Sequence, residues 1–336
     1  VARELKFERS IIELNKKIKE MKNVSEQADN TELFQKIRFL EERATRLEEN
    51  FYQNADRWLK IELSRLEHRP QMLDYVELLF NDYIELSGDR LFGDDQAVLG
   101  GFARIDGRRV MLVGNQKGRG LKGRLMRNFG MPHPEGYRKA MRLMRLAERF
   151  GLPLITIVDT PGAYPGVEAE ERGQSTALAE SMFTMSTLAT PIITVIIGEA
   201  GSGGALALAI ADRVLMMENA TYTVSSPEAC ASILWKDRTM KETAAEALKP
   251  TATDNLTLGL IDEIVPEPLG GAHRDKPQAA ELLKEAIIEN LRDVTATDME
   301  TLIQMRFERF RNVGIYHDPN GSNTPGGMST GKEGEE

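Results

Sequence analysis

Between Ile196 and Ile210 the chain reads IIGEAGSGGALALAI, with Gly198, Gly201, Gly203 and Gly204 crowded together. Bare backbone at the end of an apolar run exposes N–H groups that no side chain screens. Where such a run turns from strand into helix, those groups stand at a helix N-terminus and suit an oxyanion or another anion. The same residues also suit close helix packing without a ligand, and composition does not choose between the two. A second bend, DTPGAYPG (Asp159 to Gly166), follows another apolar run. Pro161 and Pro165 remove donors there, while Gly162 and Gly166 relax the backbone. Asp159 also suits a turn cap, and Tyr164 a packing role. Two such turns in one α/β unit point to a ligand site outside the carboxyl ends of the strands.

A third stretch, Gly114 to Lys139, gathers Lys117, Arg119, Lys122, Arg124, Arg127, Arg138 and Lys139 in a chain of net charge -9. Lys117 and Arg119 are candidates to meet a phosphorylated cofactor or an acidic protein partner; a solvated loop is the plainer reading. Gly118, Gly120 and Gly123 match G-x-G-x-x-G, but no clear helix and second strand follow at once, and the expected acidic residue is missing.

Several familiar machines are absent. The stretch holds no P-loop, and no H-E-x-x-H occurs. The histidines, His68, His133, His273 and His317, are scattered. The single cysteine, Cys230, makes neither an internal disulfide nor a cysteine zinc site. Ser202 sits in a near match to the G-x-S-x-G nucleophile elbow, with Ala200 in the first place. A serine hydrolase would need His273 or His317 from later in the chain, or His133 in another topology. The net charge argues against general nucleic-acid binding. With no secretion-like start and no long apolar run, no membrane span is expected, and a reducing, cytoplasmic setting is.

The elements that must position these residues follow from periodicity. Residues 1–69 read as a helical arm: Ile11, Ile12, Leu14, Ile18 and Met21 recur at helical spacing, as do Phe34, Ile37, Leu40, Ala44 and Leu47. A third helical stretch runs from Trp58 to Leu66. Tyr75 to Leu86 reads as a helix closed by Gly88. Ala97 to Ile105, Val110 to Val113, Pro153 to Val158, Ile192 to Ile197 and Val214 to Met217 read as strands, several buried on both faces. Helices are expected over Glu135 to Arg149, Glu168 to Leu188, Gly203 to Ala211, just after Pro227, Ala279 to Leu291 and Thr297 to Arg311. This alternation is α/β. The domain so defined covers 70–316, and the polar tail 317–336 is expected to be disordered.

The phrases GNQKGR, RNFGMPHPEGYRKAMRLM, ITIVDTPGAYPG, IIGEAGSGGALAL and SPEACASILW, with RPQMLDYVELLFNDYIELSGDRLFGDD upstream, closely resemble the alpha subunits of bacterial and plastid acetyl-CoA carboxylase carboxyltransferase. The resemblance implies a crotonase-like fold, a spiral of ββα units with an N-terminal helical extension. It implies carboxyl transfer from N-carboxybiotin, borne on a biotin carboxyl carrier protein, to acetyl-CoA, giving malonyl-CoA for fatty acid synthesis. It implies a separate zinc-bearing beta subunit in an alpha2beta2 assembly, with biotin carboxylase in the larger complex and no metal in this chain. Two oxyanions arise in that chemistry, and neither step demands a protein nucleophile.

Carried over, Gly203 and Gly204 are the oxyanion donors, with Gly162 and Ala163 on the facing wall. Tyr164, Pro165, Gly166, Gly201, Ser202, Lys117 and Arg119 line the cofactor side. A bulky residue at Gly204 is expected to displace the turn. Asn115 stands where histidine is expected, Gly120 where an acid is expected, and Ala229 where glycine is expected. Other enzymes of the fold, acyl-CoA hydratases, decarboxylases and serine hydrolases, remain alternatives, as does a non-catalytic scaffold.

Overall fold

The computed structural model describes residues 8–25 and 31–314. The tail 317–336, including His317, lies outside the described residues.

The chain opens with helices α1 (Glu8–Ser25), α2 (Thr31–Gln53), α3 (Arg57–Ser64) and α4 (Met72–Leu79). Strands β1 (Asn81–Glu85), β2 (Val98–Ile105) and β3 (Arg108–Asn115) follow, then α5 (Gly120–Met126) and α6 (Pro134–Arg149). Next come β4 (Leu154–Thr160), α7 (Val167–Glu171), α8 (Gln174–Thr187), β5 (Ile192–Gly201) and α9 (Ser202–Leu206). After β6 (Arg213–Met217) and β7 (Thr221–Thr223) run α10 (Pro227–Leu234), α11 (Lys241–Leu248) and α12 (Ala252–Thr257). The described part closes with β8 (Glu263–Val265), α13 (Lys276–Ala296) and α14 (Met299–Arg311).

The strands form one mixed sheet in the order β1-β2-β3-β4-β5-β6-β8. The first three are antiparallel. The hairpin β2–β3 turns at Asp106-Gly107, both with positive φ, as a two-residue turn requires. From β3 onward the pairing is parallel. Residues Leu154–Thr160 of β4 are buried throughout, which fits the largely apolar stretch from Leu154 to Val158. Past Ile196, β5 leaves β6 and pairs instead with β7, Glu199 to Gly201 against Thr221 to Thr223. That fork frees the end of β5 to carry the glycine-rich turn.

Helices α6, α8 and α13 contribute Leu143, Met144, Met185, Leu283 and Ile287 to the core around the sheet. Helices α1 and α2 meet through a small separate core of Ile18, Ile37 and Ala44. By contrast, α3 is tied to the main body. Arg57 forks onto Asp254 at 2.6 and 2.9 Å, and Ser64 bonds Thr221 at 3.1 Å.

Four sequence expectations change. The helix expected over Tyr75 to Leu86 stops at Leu79; Phe80 is extended and Asp82 takes φ 52, so NDYIE becomes an edge strand on β2. Its Tyr83-Ile84 pair suits either period, and only the free edge of β2 decides it. The helix expected over Glu168 to Leu188 breaks in two at Gly173, whose φ is 82. The helix expected over Gly203 to Ala211 ends at Leu206. The basic stretch folds a helix, α5, in what reads as a loop.

Candidate functional site

The turn after β5 is built around strain and absence. Ser202, exposed, takes φ 54 and throws the chain sharply from β5 into α9. Gly203 and Gly204 follow within the first turn, where backbone N–H groups have no partner inside the helix. Gly162, at φ 149, opens the facing bend; its N–H and its carbonyl both meet the Thr160 hydroxyl, at 3.1 and 2.8 Å. The Ala163 N–H finds no acceptor among the described residues.

Close approach holds the two turns together. A Cβ on Gly198 would strike the Asp159 carboxylate, one on Gly201 the Pro161 carbonyl, and one on Gly204 the Ala163 nitrogen. The end of β5 and the start of α9 thus present a glycine at every third residue to the Asp159 to Ala163 bend. Gly203 differs: the nearest atom to a Cβ there is Leu178 Cδ1, at 3.8 Å. So Gly204 is the packing glycine and Gly203 the one with open space beside it. The geometry brings Gly162, Ala163, Gly201, Ser202, Gly203 and Gly204 into one place. Tyr164, the next residue along, stacks on His133 with ring centroids 4.1 Å apart. Its backbone N–H bonds Pro132, and Gln174 holds its carbonyl. Pro165 is exposed, and Gly166 begins α7 beside the Tyr164 ring.

Behind the bend lies a buried charge network. Lys117 Nζ is 2.7 Å from Asp159 and donates to Glu199 at 2.9 Å. Arg65 donates to the other oxygen of Glu199 at 2.5 Å and reaches Glu228 of α10 at 2.8 Å. Asp159 also accepts the Glu199 backbone N–H at 3.0 Å. Burial pushes the Glu199 carboxyl up, but Lys117 and Arg65 outweigh it and hold it at about 2. For Asp159 burial wins over Lys117, so its carboxyl lies above the usual range. Burial lowers Lys117, yet its two carboxylates outweigh that and keep it charged. A cavity of about 270 Å³ opens above these groups, lined also by Arg124, Phe129 and Pro161.

The basic candidates therefore part company. Lys117 is enclosed by carboxylates; Arg119 points outward and pairs with Asp74 at 2.5 Å. Sequence reasoning passed over Glu199 and Arg65. An isolated acid inside an apolar strand was the available signal for Glu199; nothing local marks Arg65. Asn115 is wholly buried, and its Nδ2 has no acceptor among the described residues. Gly120 is open around its Cβ position, and Ala229 lies in the first turn of α10, bonded to the Ser226 cap at 3.1 Å.

Residues 4–314 match the family described as acetyl co-enzyme A carboxylase carboxyltransferase-like. The chain belongs to that family. Among its relatives are carboxyl transferase alpha subunits of acetyl-coenzyme A carboxylase from Thermus thermophilus and Geobacter metallireducens. The first is 53% identical over 94% of this chain and 99% of the relative. The second is 52% identical over 93% and 98%. This carboxyltransferase chain has the crotonase-like α/β fold, with a mixed sheet and surrounding helices. Solved structures with the same architecture include transcarboxylase 12S, with TM-score 0.52 and 25% identity over 64% of this chain and 41% of that one. A Pseudomonas malonate decarboxylase hetero-tetramer in complex with coenzyme A gives 0.53 and 20%, over 66% and 89%. The function that goes with the family is transfer of a carboxyl group to acetyl-CoA. Among the described residues no group of His, Cys, Asp or Glu could hold a metal ion, and no helix is long and apolar enough to cross a membrane.

Proposed function

We propose that this chain supplies the biotin-side half of a carboxyltransferase centre, with Gly203 and Gly204 as the donors that receive an oxyanion. The observation that carries the reading is the uncommitted N–H pair at the start of α9, packed against the Gly162–Ala163 bend and open at Gly203. N-carboxybiotin on a carrier protein, when bound, supplies the carboxyl group and an anionic ureido oxygen. The fit is one of charge and room: backbone donors with no acceptor, and no side chain at Gly203 to fill the space.

The chain's own work is then positional. The Gly203 and Gly204 N–H groups bind the negative oxygen without any proton transfer. Ala163 adds a donor from the facing wall. Thr160 holds Gly162 in its extended positive-φ form, and Asp159 braces the end of β5 through the Glu199 N–H. Lys117 and Arg119 stand behind and outside this wall, where Arg119 can meet an acidic carrier surface.

The acetyl-CoA side belongs to a separate zinc-bearing beta subunit, in a cytoplasmic alpha2beta2 assembly served by a biotin carboxyl carrier protein and biotin carboxylase. The serine-hydrolase reading has Ser202 at a strained, exposed elbow in its favour. Among the described residues, however, no histidine bonds its hydroxyl. The test is malonyl-CoA decarboxylation, or carboxyl transfer to free biotin, by this chain alone, by the beta subunit alone and by the mixture. Activity in the mixture alone supports the shared centre, and its loss in Gly204→Val confirms this chain's share. Activity of this chain alone refutes the reading. A mixture whose rate ignores substitutions at Gly203 and Gly204 makes this chain a scaffold.

A further inference from the structure

Helix α6 carries arginines at 138, 142, 145 and 149, a spacing that puts all four along one face. The loop after β1 brings Arg90 over that face. The Asp89 carboxylate holds this loop, accepting the N–H groups of Leu91, Phe92 and Gly93 at 2.8 to 2.9 Å, and Arg138 closes on its other oxygen at 2.8 Å. Between loop and helix lies a groove of about 500 Å³. None of the residues lining it belongs to the two glycine turns.

The charges there are not balanced. Among the described residues Arg142 donates only to the carbonyls of Leu86, Ser87 and Gly88. Arg90 donates to that same Ser87 carbonyl at 2.9 Å, so two guanidinium groups share one oxygen, while the acids nearest Arg142, Asp94 and Asp89, are paired with Lys139 and Arg138. Arg145 and Arg149 are exposed and have no acid within salt-bridge reach among the described residues. Of the two acids lining the groove, Asp89 is already engaged with Arg138, and Glu180 is exposed. Leu91, Met141 and Leu146 give the groove an apolar floor. Burial and the neighbouring Arg90 hold the Arg142 guanidinium below its usual value, and cations clustered this way gain from any anion that enters.

We propose that this groove binds a nucleoside diphosphate, with its phosphates on Arg90, Arg142, Arg145 and Arg149 and its base on the apolar floor. Guanidinium forks match phosphate oxygens in pairs, and the volume lies within the range of small-ligand sites. The row from Arg142 to Arg149 spans about 10 Å of helix, long enough for a diphosphate and more.

The test is calorimetric titration of ADP, pyrophosphate and adenosine into the full chain. ADP is expected to bind in the micromolar to millimolar range, pyrophosphate more weakly, and adenosine not at all. Arg145→Glu and Arg149→Glu should each weaken ADP by about tenfold or more, since each removes a charged hydrogen-bonding group. Among the described residues neither side chain makes a hydrogen bond or ion pair, so the thermal midpoint should stay unchanged. Arg109→Glu, on the exposed start of β3, should leave ADP binding as it was. Absence of ADP binding at millimolar concentration would overturn the proposal. So would equal binding by both variants, or pyrophosphate binding as tightly as ADP. A change in sedimentation of Arg145→Glu or Arg149→Glu with ADP affinity intact would mark the groove as a protein contact and likewise overturn it.

Discussion

Alanine scanning of adjacent glycines separates donor placement from mere composition. In Gly204→Ala the new methyl carbon would lie 2.5 Å from the Gly162 carbonyl carbon and 2.9 Å from its Cα. Both neighbours are backbone and cannot swing away. Restoring ordinary contact, which begins at 3.4 Å, needs a displacement of about 1 Å between the two turns, the Ala163 nitrogen being the nearest atom. A shift near 1 Å in a reacting geometry costs about 10²-fold in rate. Overpacking of this kind adds roughly 1–3 kcal/mol of destabilisation. In Gly203→Ala the nearest atom is 3.8 Å away, and alanine is the better helix former by about 1 kcal/mol. The assay is malonyl-CoA decarboxylation by the two-subunit complex, with thermal midpoints measured on the same samples. Gly204→Ala should lose about two orders of magnitude in kcat; Gly203→Ala should stay within about threefold of the parent. Equal losses in the two variants, or a parental rate in a well-folded Gly204→Ala, would show that the contact between turns does not set the donor positions.

Three further outcomes follow from the charge networks. Lys117→Met strands the buried Asp159 carboxylate and leaves Glu199 with Arg65 alone, and chemical denaturation should show a loss of about 3–5 kcal/mol. Arg306 is buried and spends its guanidinium on Asp212 and the carbonyls of Met185, Leu188 and Thr190. Arg306→Lys cannot reproduce that fork, so its midpoint should fall nearly as far as that of Arg306→Met. For Glu267, burial pushes the carboxyl up, but Arg69 overcomes this and holds it at about 2 against an ordinary 4.5. A depressed acid stabilises the fold above its unfolded value and loses that contribution as pH falls toward the folded one. About 3 kcal/mol should therefore disappear between about pH 4.5 and pH 2, and Glu267→Gln should show a flatter profile across that window.

Much of this molecule was readable from pattern. Strands buried on both faces announced themselves as unbroken apolar runs, and β4 and β5 lie where those runs do. The two glycine turns were legible because glycine and proline act locally. What failed was information held elsewhere in the chain. NDYIE becomes a strand because β2 leaves an edge, not because its own residues insist. The break at Gly173 was visible only as one glycine within a helical pattern. Lys117 looked like a solvent-facing cation, yet its partners sit on β4 and β5, 42 and 82 residues away in sequence. Ionic pairing at that range has no periodic signature, so the network behind the bend had to come from coordinates.

The three glycines at the end of β5 and the start of α9 that touch the neighbouring bend have a consequence for anyone wishing to retune this protein. A centre written in backbone atoms offers no side chain to exchange. Randomising Gly198, Gly201 or Gly204 should return glycine among the surviving clones, because the space beside each is already filled, by the Asp159 carboxylate at Gly198 and by main chain of the facing bend at Gly201 and Gly204. Useful variation is confined to Gly203 and to the outer walls, Tyr164 and His133 among them. On the proposed reading, laboratory evolution of this chain will therefore move around the rim of the site, while the floor remains fixed.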